Sequence, residues 1–471
     1  MPRRPPRNDY VIIPVPLRVD ADPSWTGKGV TIAFIDSGFY PHPALTHPES
    51  RIRSLIDVTP EKYSSPDFET VHASSWHGTM VACVACGNGY FSRGYYHGIA
   101  HGADVALIKV FDGKKIRSTS LLQAIRWIEK NAHAFGIRVV NISVGGDGRR
   151  PASTAICAAI RRLTDLGIVV VAAAGNRPDR FPTAPASCED AITVGGIDDH
   201  NAVDGKLSEY GTSHGSLSQG FSKPDIVAPS NLLPAPMLPD NAVIRESEIL
   251  HRLYKTPLRR LRTEIKKHLR YIKLAVGIEN RPPKAIRMAI RERMTAEKFF
   301  APYYQHVDGT SFAAPIVSSV IAQMLEVNPT LTPRTIKYIL QKTARPLPDI
   351  APVKQGAGLI AARRCVEWAA MEQDLEPRLD FPVVTDRRIT FRLHAPEARH
   401  VKIAGDFTAW KTGALPLTLL DHGLWRIDIP GLSPGKYAYK FLIDGKWTHD
   451  PEDPRRVPDA FGGENNFLIV P

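Results

Sequence analysis

The chain predicts an α/β fold, a parallel sheet covered by helices, with a basic helical insertion and a small all-β sandwich behind it. Three observations carry that reading. From Thr31 to Val194, short apolar runs alternate with longer segments of helical periodicity, as in parallel strands joined by crossover helices. Beyond about residue 388 the apolar period becomes two, the spacing of half-buried strands. The 471 residues also exceed what one hydrophobic core usually holds, so a second domain or a sizeable insertion is expected.

In chain order, residues 1–21 form an N-terminal extension whose Val11-Ile12-Ile13 run is interrupted by Pro14 and Pro16, as in an edge strand closed to further pairing. The body occupies 22–372. Strands are expected near 30–35, 103–110, 137–142, 168–174 and 191–197, and helices near 77–88, 118–134 and 151–166. Ligands of such sheets sit at the carboxyl ends of the strands. There the sequence places Asp36-Ser37-Gly38, after the first strand, and Asn176, after the run Val169 to Gly175. His77-Gly78-Thr79 opens a helix. The turn Gly309-Thr310-Ser311-Phe312-Ala313-Ala314-Pro315 opens another, which runs through about Leu325. A serine at a helix start is also the ordinary cap, so the turn means little alone. Its unpaired backbone N–H groups and helix dipole nevertheless favour developing negative charge.

Acyl transfer by serine needs a nucleophile, a histidine base, a carboxylate that fixes the base's tautomer, and donors for the oxyanion. Asp36, His77, Asn176 and Ser311 supply all four. With these motifs the chain resembles the subtilases, the subtilisin-like serine proteases, whose D-S-G, H-G-T, A-A-G-N and G-T-S-x-A-x-P segments stand at those residues. The order Asp, His, Ser is that of subtilisin itself. The resemblance covers most of 22–372 and implies a serine endopeptidase that requires no cofactor. Ser143, Val144 and Gly145 match the segment that pairs with substrate backbone and walls the pocket for the residue before the scissile bond. Val11–Pro16 also looks like the short extension with which intracellular subtilisins cross their own active site.

The chain departs from the family in three places. Met80 stands where many members carry a second histidine. His42-Pro43-Ala44 stands where a calcium-binding aspartate is common, so a metal at the usual strong site is not implied. Ile316-Val317-Ser318 follows the signature proline.

Between Pro229 and Gly309 the family has a short loop, whereas this chain carries an insertion at 235–300. Within 245–298 sixteen Lys and Arg face six Asp and Glu, a net +10 of the chain's +12. Leu258, Leu261, Ile265, Leu269, Ile272 and Val276 recur at helical spacing before Gly277 and Pro282-Pro283 break the run, which predicts a helical hairpin with a basic outer face. That face is either simply solvated or a site for an acidic partner. Base-stacking aromatics are nearly absent from it, which argues against sequence-specific nucleic-acid binding.

Residues 373–387, with Asp374-Leu375-Glu376-Pro377 and Pro382, read as a linker. In 388–471, strands are expected at 389–393, 401–403, 424–429 and 437–443, giving a β-sandwich. Gly405-Asp406-Phe407-Thr408-Ala409-Trp410 and the run from Tyr439 to Pro451 resemble the family 48 carbohydrate-binding modules, glycogen-binding domains among them. The resemblance implies α-glucan contacts by Trp410, Lys440, Trp447 and Asn465, while Trp425 falls at a core position. The alternative is a sandwich whose tryptophans serve docking within the chain.

Composition, at 43% hydrophobic and 23% charged, is that of a soluble globular protein, and no apolar run looks long enough to span a membrane. The charged N-terminus has no apolar stretch behind it. Five cysteines, an odd number in apolar segments, suggest buried thiols and a reducing, cytoplasmic setting. The Cys83-x-x-Cys86 pair reads as core packing rather than metal or redox chemistry. The rival functional reading is a glycan-associated scaffold whose protease fold binds peptides without cutting them.

Overall fold

Thr31–Asp36 (β1) is buried at every position, and a strand buried on both faces requires a layer on each side. The computed structural model provides both layers. It describes residues 12–59, 68–145, 150–203, 205–216, 222–239, 241–371 and 382–470, apart from 386–387, 396, 411–414, 420–423, 451–452, 454 and 460–461. The sequence-predicted linker and Val11 therefore fall largely outside the described residues. The described residues divide into two units, one on either side of that linker in sequence.

In the first unit, Val15–Arg18 (α1), β1, Pro43–Thr46 (α2), Ile52–Asp57 (β2), Ser75–Cys86 (α3), Asp104–Lys109 (β3), Ser118–Phe135 (α4), Ile137–Ile142 (β4), Arg150–Asp165 (α5), Val169–Ala173 (β5) and Ile192–Asp198 (β6) follow in order. The two-residue strands Ser208–Glu209 (β7), Gly215–Ser216 (β8) and Ser222–Lys223 (β9) precede Ile226–Pro229 (β10). The sheet runs β10-β6-β5-β4-β1-β3-β2, parallel throughout, with β7 added antiparallel to β6. β1 is central, with Asp36 opposite Lys109 on one side and Ile35 opposite Ile142 on the other. Alternation sorts its residues between two cores. Ile32 and Phe34 pack with residues of α3 and of Thr310–Val327, a helix introduced below, whereas Ala33 and Ile35 pack with residues of α4 and α5.

The insertion departs from expectation. After Leu233–Pro236 (β11) come Ala242–Lys255 (α6), Leu258–Lys266 (α7) and Pro283–Ala296 (α8), then Phe299–Ala301 (β12) and Tyr304–Val307 (β13). The hairpin is thus a three-helix unit. Its second helix ends at Lys266, so Leu269 at 36% and Val276 at 106% exposure leave the stripe they were expected to continue. Leu250, Leu261, Ile265, Ile286 and Ile290 instead form a core of their own. The unit is spliced into an antiparallel sheet, β11-β13-β12, with Leu233 opposite Val307 and Pro236 opposite Tyr304.

Thr310–Val327 (α9), Pro333–Thr343 (α10), Pro352–Gln355 (α11) and Ala362–Met371 (α12) complete the unit. By length and mean hydropathy, 1.3, α9 could cross a membrane, contrary to expectation, but 83% of that stretch is buried inside the protein. It is the core helix on which the sheet packs.

Two further expectations are corrected. The described part of the N-terminal extension is a one-turn helix, not an edge strand. Arg18 anchors it, its buried guanidinium pairing with Asp199 and donating to the carbonyls of Asn231 and Leu232 at 2.7 and 2.8 Å. The cysteines are not all thiols, because Cys157 of α5 and Cys188, just before β6, form a disulfide. They therefore no longer speak for a reducing compartment. Cys83 and Cys86 remain free and buried, and burial pushes both thiols up, Cys86 to about 12, which keeps them protonated.

The second unit consists of antiparallel sheets. Val383–Thr385, Arg388–His394, Leu424–Pro430 and Thr418–Leu419 pair in that order. The other sheet is built around Gly435–Ile443, flanked by Val401–Gly405 and Glu464–Val470. Ile389, Phe391, Ile403, Tyr439, Phe441 and Leu468 are their shared core, joined by Trp425 as the sequence reading expects.

Candidate active site

Asp36 ends β1 with its side chain fully buried, and its Oδ1 accepts from the Ser37 backbone N–H at 2.6 Å. His77 lies in the first turn of α3, where its Nδ1 meets the same Oδ1 at 2.7 Å. Two glycines permit this approach. A Cβ on Gly78 would stand 2.4 Å from the Gly38 carbonyl and 2.9 Å from the Asp36 Cβ, and one on Gly38 would stand 2.9 Å from the Ser74 carbonyl. Gly78 clears the Asp36 motif, and Gly38 clears the turn that leads into α3. Thr79 locks the contact, since its Oγ1 donates to the Ser75 carbonyl at 2.6 Å and accepts from the Tyr40 N–H at 2.9 Å.

Burial would pull the His77 pKa down, but the charge of Asp36 and the hydrogen bond to it outweigh burial and raise it. Oδ2 of Asp36 is buried without a hydrogen-bond partner among the described residues. The imidazole and the Ser37 N–H thus share one oxygen of the carboxylate.

Ser311 is the second residue of α9, entered through Gly309 at φ 133. Three ties hold this turn. The Thr310 N–H and hydroxyl donate to Asn176 Oδ1 at 2.9 and 3.0 Å, which leaves the amide's Nδ2 donors free of that contact. The Ser143 hydroxyl donates to the Ser311 carbonyl at 2.8 Å and accepts from Asn141, whose Oδ1 accepts from Ser318. Asp308 Oδ1 accepts from the Leu232 N–H at 2.9 Å, and its other oxygen pairs with Lys298. Burial would raise the Asp308 carboxyl, but the nearby His306 ring, Lys298 and the Leu232 N–H together hold it well below the usual carboxylate range.

The Phe312 ring lies 5.4 Å from the His77 ring, which seats the α9 turn beside the α3 turn. Asp36 and His77 are thus bonded directly, Asn176 and Ser143 reach the serine's turn, Val144 is half-buried, and Gly145 is exposed, a Cβ there meeting only Thr183 Oγ1 at 3.9 Å. Sequence reasoning missed Thr310, Asp308, Asn141 and the two glycines. Only Gly38, Gly78 and Thr310 lie inside the quoted motifs, so only they offered a signal.

His42 occupies the position where calcium-binding aspartates are common. Its Nδ1 accepts from the Ala44 N–H at 3.0 Å and its Nε2 lies 3.2 Å from the Met237 carbonyl. With both nitrogens engaged it offers no ligand. Burial, only partly offset by the Met237 carbonyl, brings its pKa down to about 4, so the ring is neutral.

In the second unit, the Trp410 and Trp447 rings lie 6.3 Å apart at 56°. Trp410 follows a left-handed turn, and its Nε1–H donates to Asp406 Oδ1 at 2.8 Å. Trp447 pairs across from Leu442, two residues from Lys440 and so on the same face of the strand. That face is the outer one, since Tyr439 and Phe441 point into the core. Lys440 pairs with Asp459 at 3.1 Å, and Asn465, half-buried, lies one residue beyond the registered pair Tyr439 and Asn466. Asp406 and Asp459, which hold the tryptophan and the lysine, were not read from the sequence.

A doubly covered parallel sheet with a partly buried carboxylate–histidine pair at one strand end, and a serine at an adjoining helix start, defines the architecture of a serine hydrolase. The subtilase family model matches residues 27–360, and that of carbohydrate-binding module 48 (isoamylase N-terminal domain) matches 378–462. The chain belongs to the subtilase family of serine proteases and carries a C-terminal module of the second family. It is similar to the serine protease AprX of Bacillus subtilis, 28% identical over 353 residues, covering 72% of this chain and 67% of AprX. Subtilisin BL of Lederbergia lenta is 32% identical over 207 residues, 43% of this chain and 65% of that protein. A cuticle-degrading serine protease of Orbilia oligospora is 31% identical over 199 residues, 42% of each. The chain thus spans between about two fifths and two thirds of these relatives. A solved Pseudoalteromonas arctica protease shares the fold, with a TM-score of 0.51 at 19% identity over 76% of this chain and 94% of that one.

Proposed function

We propose that the chain is a serine endopeptidase that acts through Asp36, His77 and Ser311. The observation that carries this reading is the partly buried His77–Asp36 hydrogen bond beside the Ser311 turn. In this mechanism Asp36 holds the Nδ1 proton, so Nε2 is the free base and takes the proton of the Ser311 hydroxyl as its oxygen attacks the peptide carbonyl. The imidazolium so formed is stabilised by the charge that already raises its pKa. Charge developing on the carbonyl oxygen is met by the Asn176 amide and the Ser311 N–H at the start of α9. His77 then protonates the leaving amine, and water repeats the sequence on the acyl-enzyme. Ser143 to Gly145 serve the substrate backbone on the acyl side, where the exposed Gly145 leaves room for close approach.

A fluorophosphonate probe tests this reading. It should label the purified chain and fail to label Ser311→Ala. An unlabelled wild-type chain would instead support the non-cleaving scaffold.

We further propose that the C-terminal module holds the enzyme on α-glucan. Two indole faces inclined at 56° suit a chain that coils rather than lies flat, since sugar rings present apolar C–H faces to aromatic rings. Lys440 and Asn465 offer polar partners for hydroxyls on the same face. Full-length protein should co-sediment with glycogen, and the Trp410→Ala/Trp447→Ala double variant should stay in solution. Equal sedimentation of the two would favour docking within the chain.

A further inference from the structure

Beside His77 a cleft of about 450 Å³ opens between the catalytic body and the insertion. One wall comes from the residues flanking the reacting groups. Trp76 precedes His77, its ring 5.8 Å from the imidazole, and Phe312 follows Ser311, with Met80 one turn along α3 between them. The other wall is Leu238 and Val243, contributed by the insertion as it leaves β11 and enters α6. Trp76 and Val243 are 39% and 41% exposed, unusual for large apolar side chains at a concave surface.

The cleft also carries charge, but each of its charged side chains already has a partner. Lys298 pairs with Asp308, His306 lies 3.7 Å from the same carboxylate, and Glu297 pairs with Arg293 at 2.6 Å. His306 Nδ1 is buried without a hydrogen-bond partner among the described residues, and the large side chains that stay open are the apolar Trp76 and Val243.

Its position decides what would lie there. On the proteolytic reading, on which this inference rests, the acyl half of a substrate runs along Ser143 to Gly145 and its carbonyl oxygen meets Asn176. None of those residues lines this cleft. His77 delivers its proton to the leaving amine, so the leaving half must pass His77. The chain on that side meets the insertion first.

We propose that the insertion builds a specificity subsite for a large apolar side chain shortly beyond the scissile bond. The insertion's net positive charge lies elsewhere, on exposed positions such as Arg259, Arg260 and Lys266, so selection at this cleft is for an apolar and not an acidic residue. Val243 is the residue to change. It is exposed in the first turn of α6, where a carboxylate is favoured by the helix dipole, so Val243→Glu should fold.

The experiment uses the full chain and internally quenched peptides that share one acyl half and carry Phe, Leu, Gly or Asp at each of the first leaving-side positions. Each kcat/KM is referred to the rate on a peptide p-nitroanilide of the same acyl half, which has no leaving-side residue. At one leaving-side position Phe and Leu should exceed Gly and Asp by on the order of tenfold, the size of discrimination an apolar pocket supplies. Val243→Glu should reduce that ratio to about twofold or less. Equal rates for all four residues, a preference for Asp, or an unchanged preference in Val243→Glu would overturn the proposal. Failure of the chain to cleave any substrate or to take the fluorophosphonate label would remove the proteolytic reading and this inference with it.

Discussion

The two candidate sites are built on opposite principles. At the first, residues 36, 77, 176 and 311 are brought together by crossover topology, with Asp36 fully buried and every adjoining turn tied down. At the second, Trp410 and Trp447 stand at an outer sheet face, Trp447 39% exposed, each supported by neighbours close in sequence. A reacting constellation tolerates little misplacement, so it needs a rigid surround. A stacking surface needs open faces, and rigidity adds less to it.

Four measurements would break or sharpen that contrast. Ser311→Ala should lower turnover of a peptide substrate by on the order of 10⁶, the figure established for subtilisin's own serine, with the circular-dichroism spectrum unchanged. Next comes Gly78→Ala, whose added methyl cannot fit 2.4 Å from the Gly38 carbonyl and must displace His77 from Asp36. Turnover should fall by about 100-fold while the Gly145→Ala protein, whose added methyl meets only Thr183 Oγ1 at an ordinary 3.9 Å, remains folded to the same temperature. Retained activity in Gly78→Ala would mean the first site is less exacting than its packing indicates. At the second site, Trp447→Ala alone should weaken glycogen binding by only about fivefold, the loss of roughly 1 kcal/mol of stacking, measured by depletion from solution.

The smallest effect is a displacement on the pH axis. His77 must be neutral to act as base, and its pKa is raised, so the acid limb of kcat/KM should have its midpoint above the ordinary histidine value of about 6.5. Asp36→Asn removes the charge that outweighs burial, so the His77 titration followed by NMR should move downward. An upward movement would show that the carboxylate is not the source of the shift.

How much of this was legible in the sequence depended on how local the cause was. Apolar runs and helical periods located the five expected sheet strands and the helices around them to within one or two residues, because burial on both faces leaves a continuous apolar signature. β2 escaped, since its half-exposed residues make no such run, and β10 escaped although buried throughout, because it is only four residues long and ends in Pro229. The insertion's second helix was read too long. Leu269, Ile272 and Val276 keep the spacing of a stripe, but the helix stops at Lys266, and spacing alone does not report where a chain turns. The Cys157–Cys188 disulfide was invisible, because residues 31 apart are joined only through the tertiary path of α5 and the segment before β6. At the candidate site the motifs gave Asp36, His77, Asn176 and Ser311 but not the residues that hold them. Asp308, Asn141 and Ser318 act at positions whose partners lie tens or hundreds of residues away, and a single sequence carries no mark of such pairing.

The splice point of the insertion has a thermodynamic consequence. Leu233 to Pro236 and Tyr304 to Val307 are paired to each other, so the chain leaves the body and returns to it at adjacent points already fixed by a ladder of hydrogen bonds. The entropy of closing the intervening loop grows only with the logarithm of its length, about 0.6 kcal/mol for each doubling. Tens of residues can therefore be accommodated there at little cost to the body, provided they fold upon themselves, as the separate core of Leu250, Leu261, Ile265, Ile286 and Ile290 lets them do. The hairpin stem is a port at which surface beside the candidate site can be lengthened, exchanged or reshaped while the Asp308–Ser311 turn keeps its place.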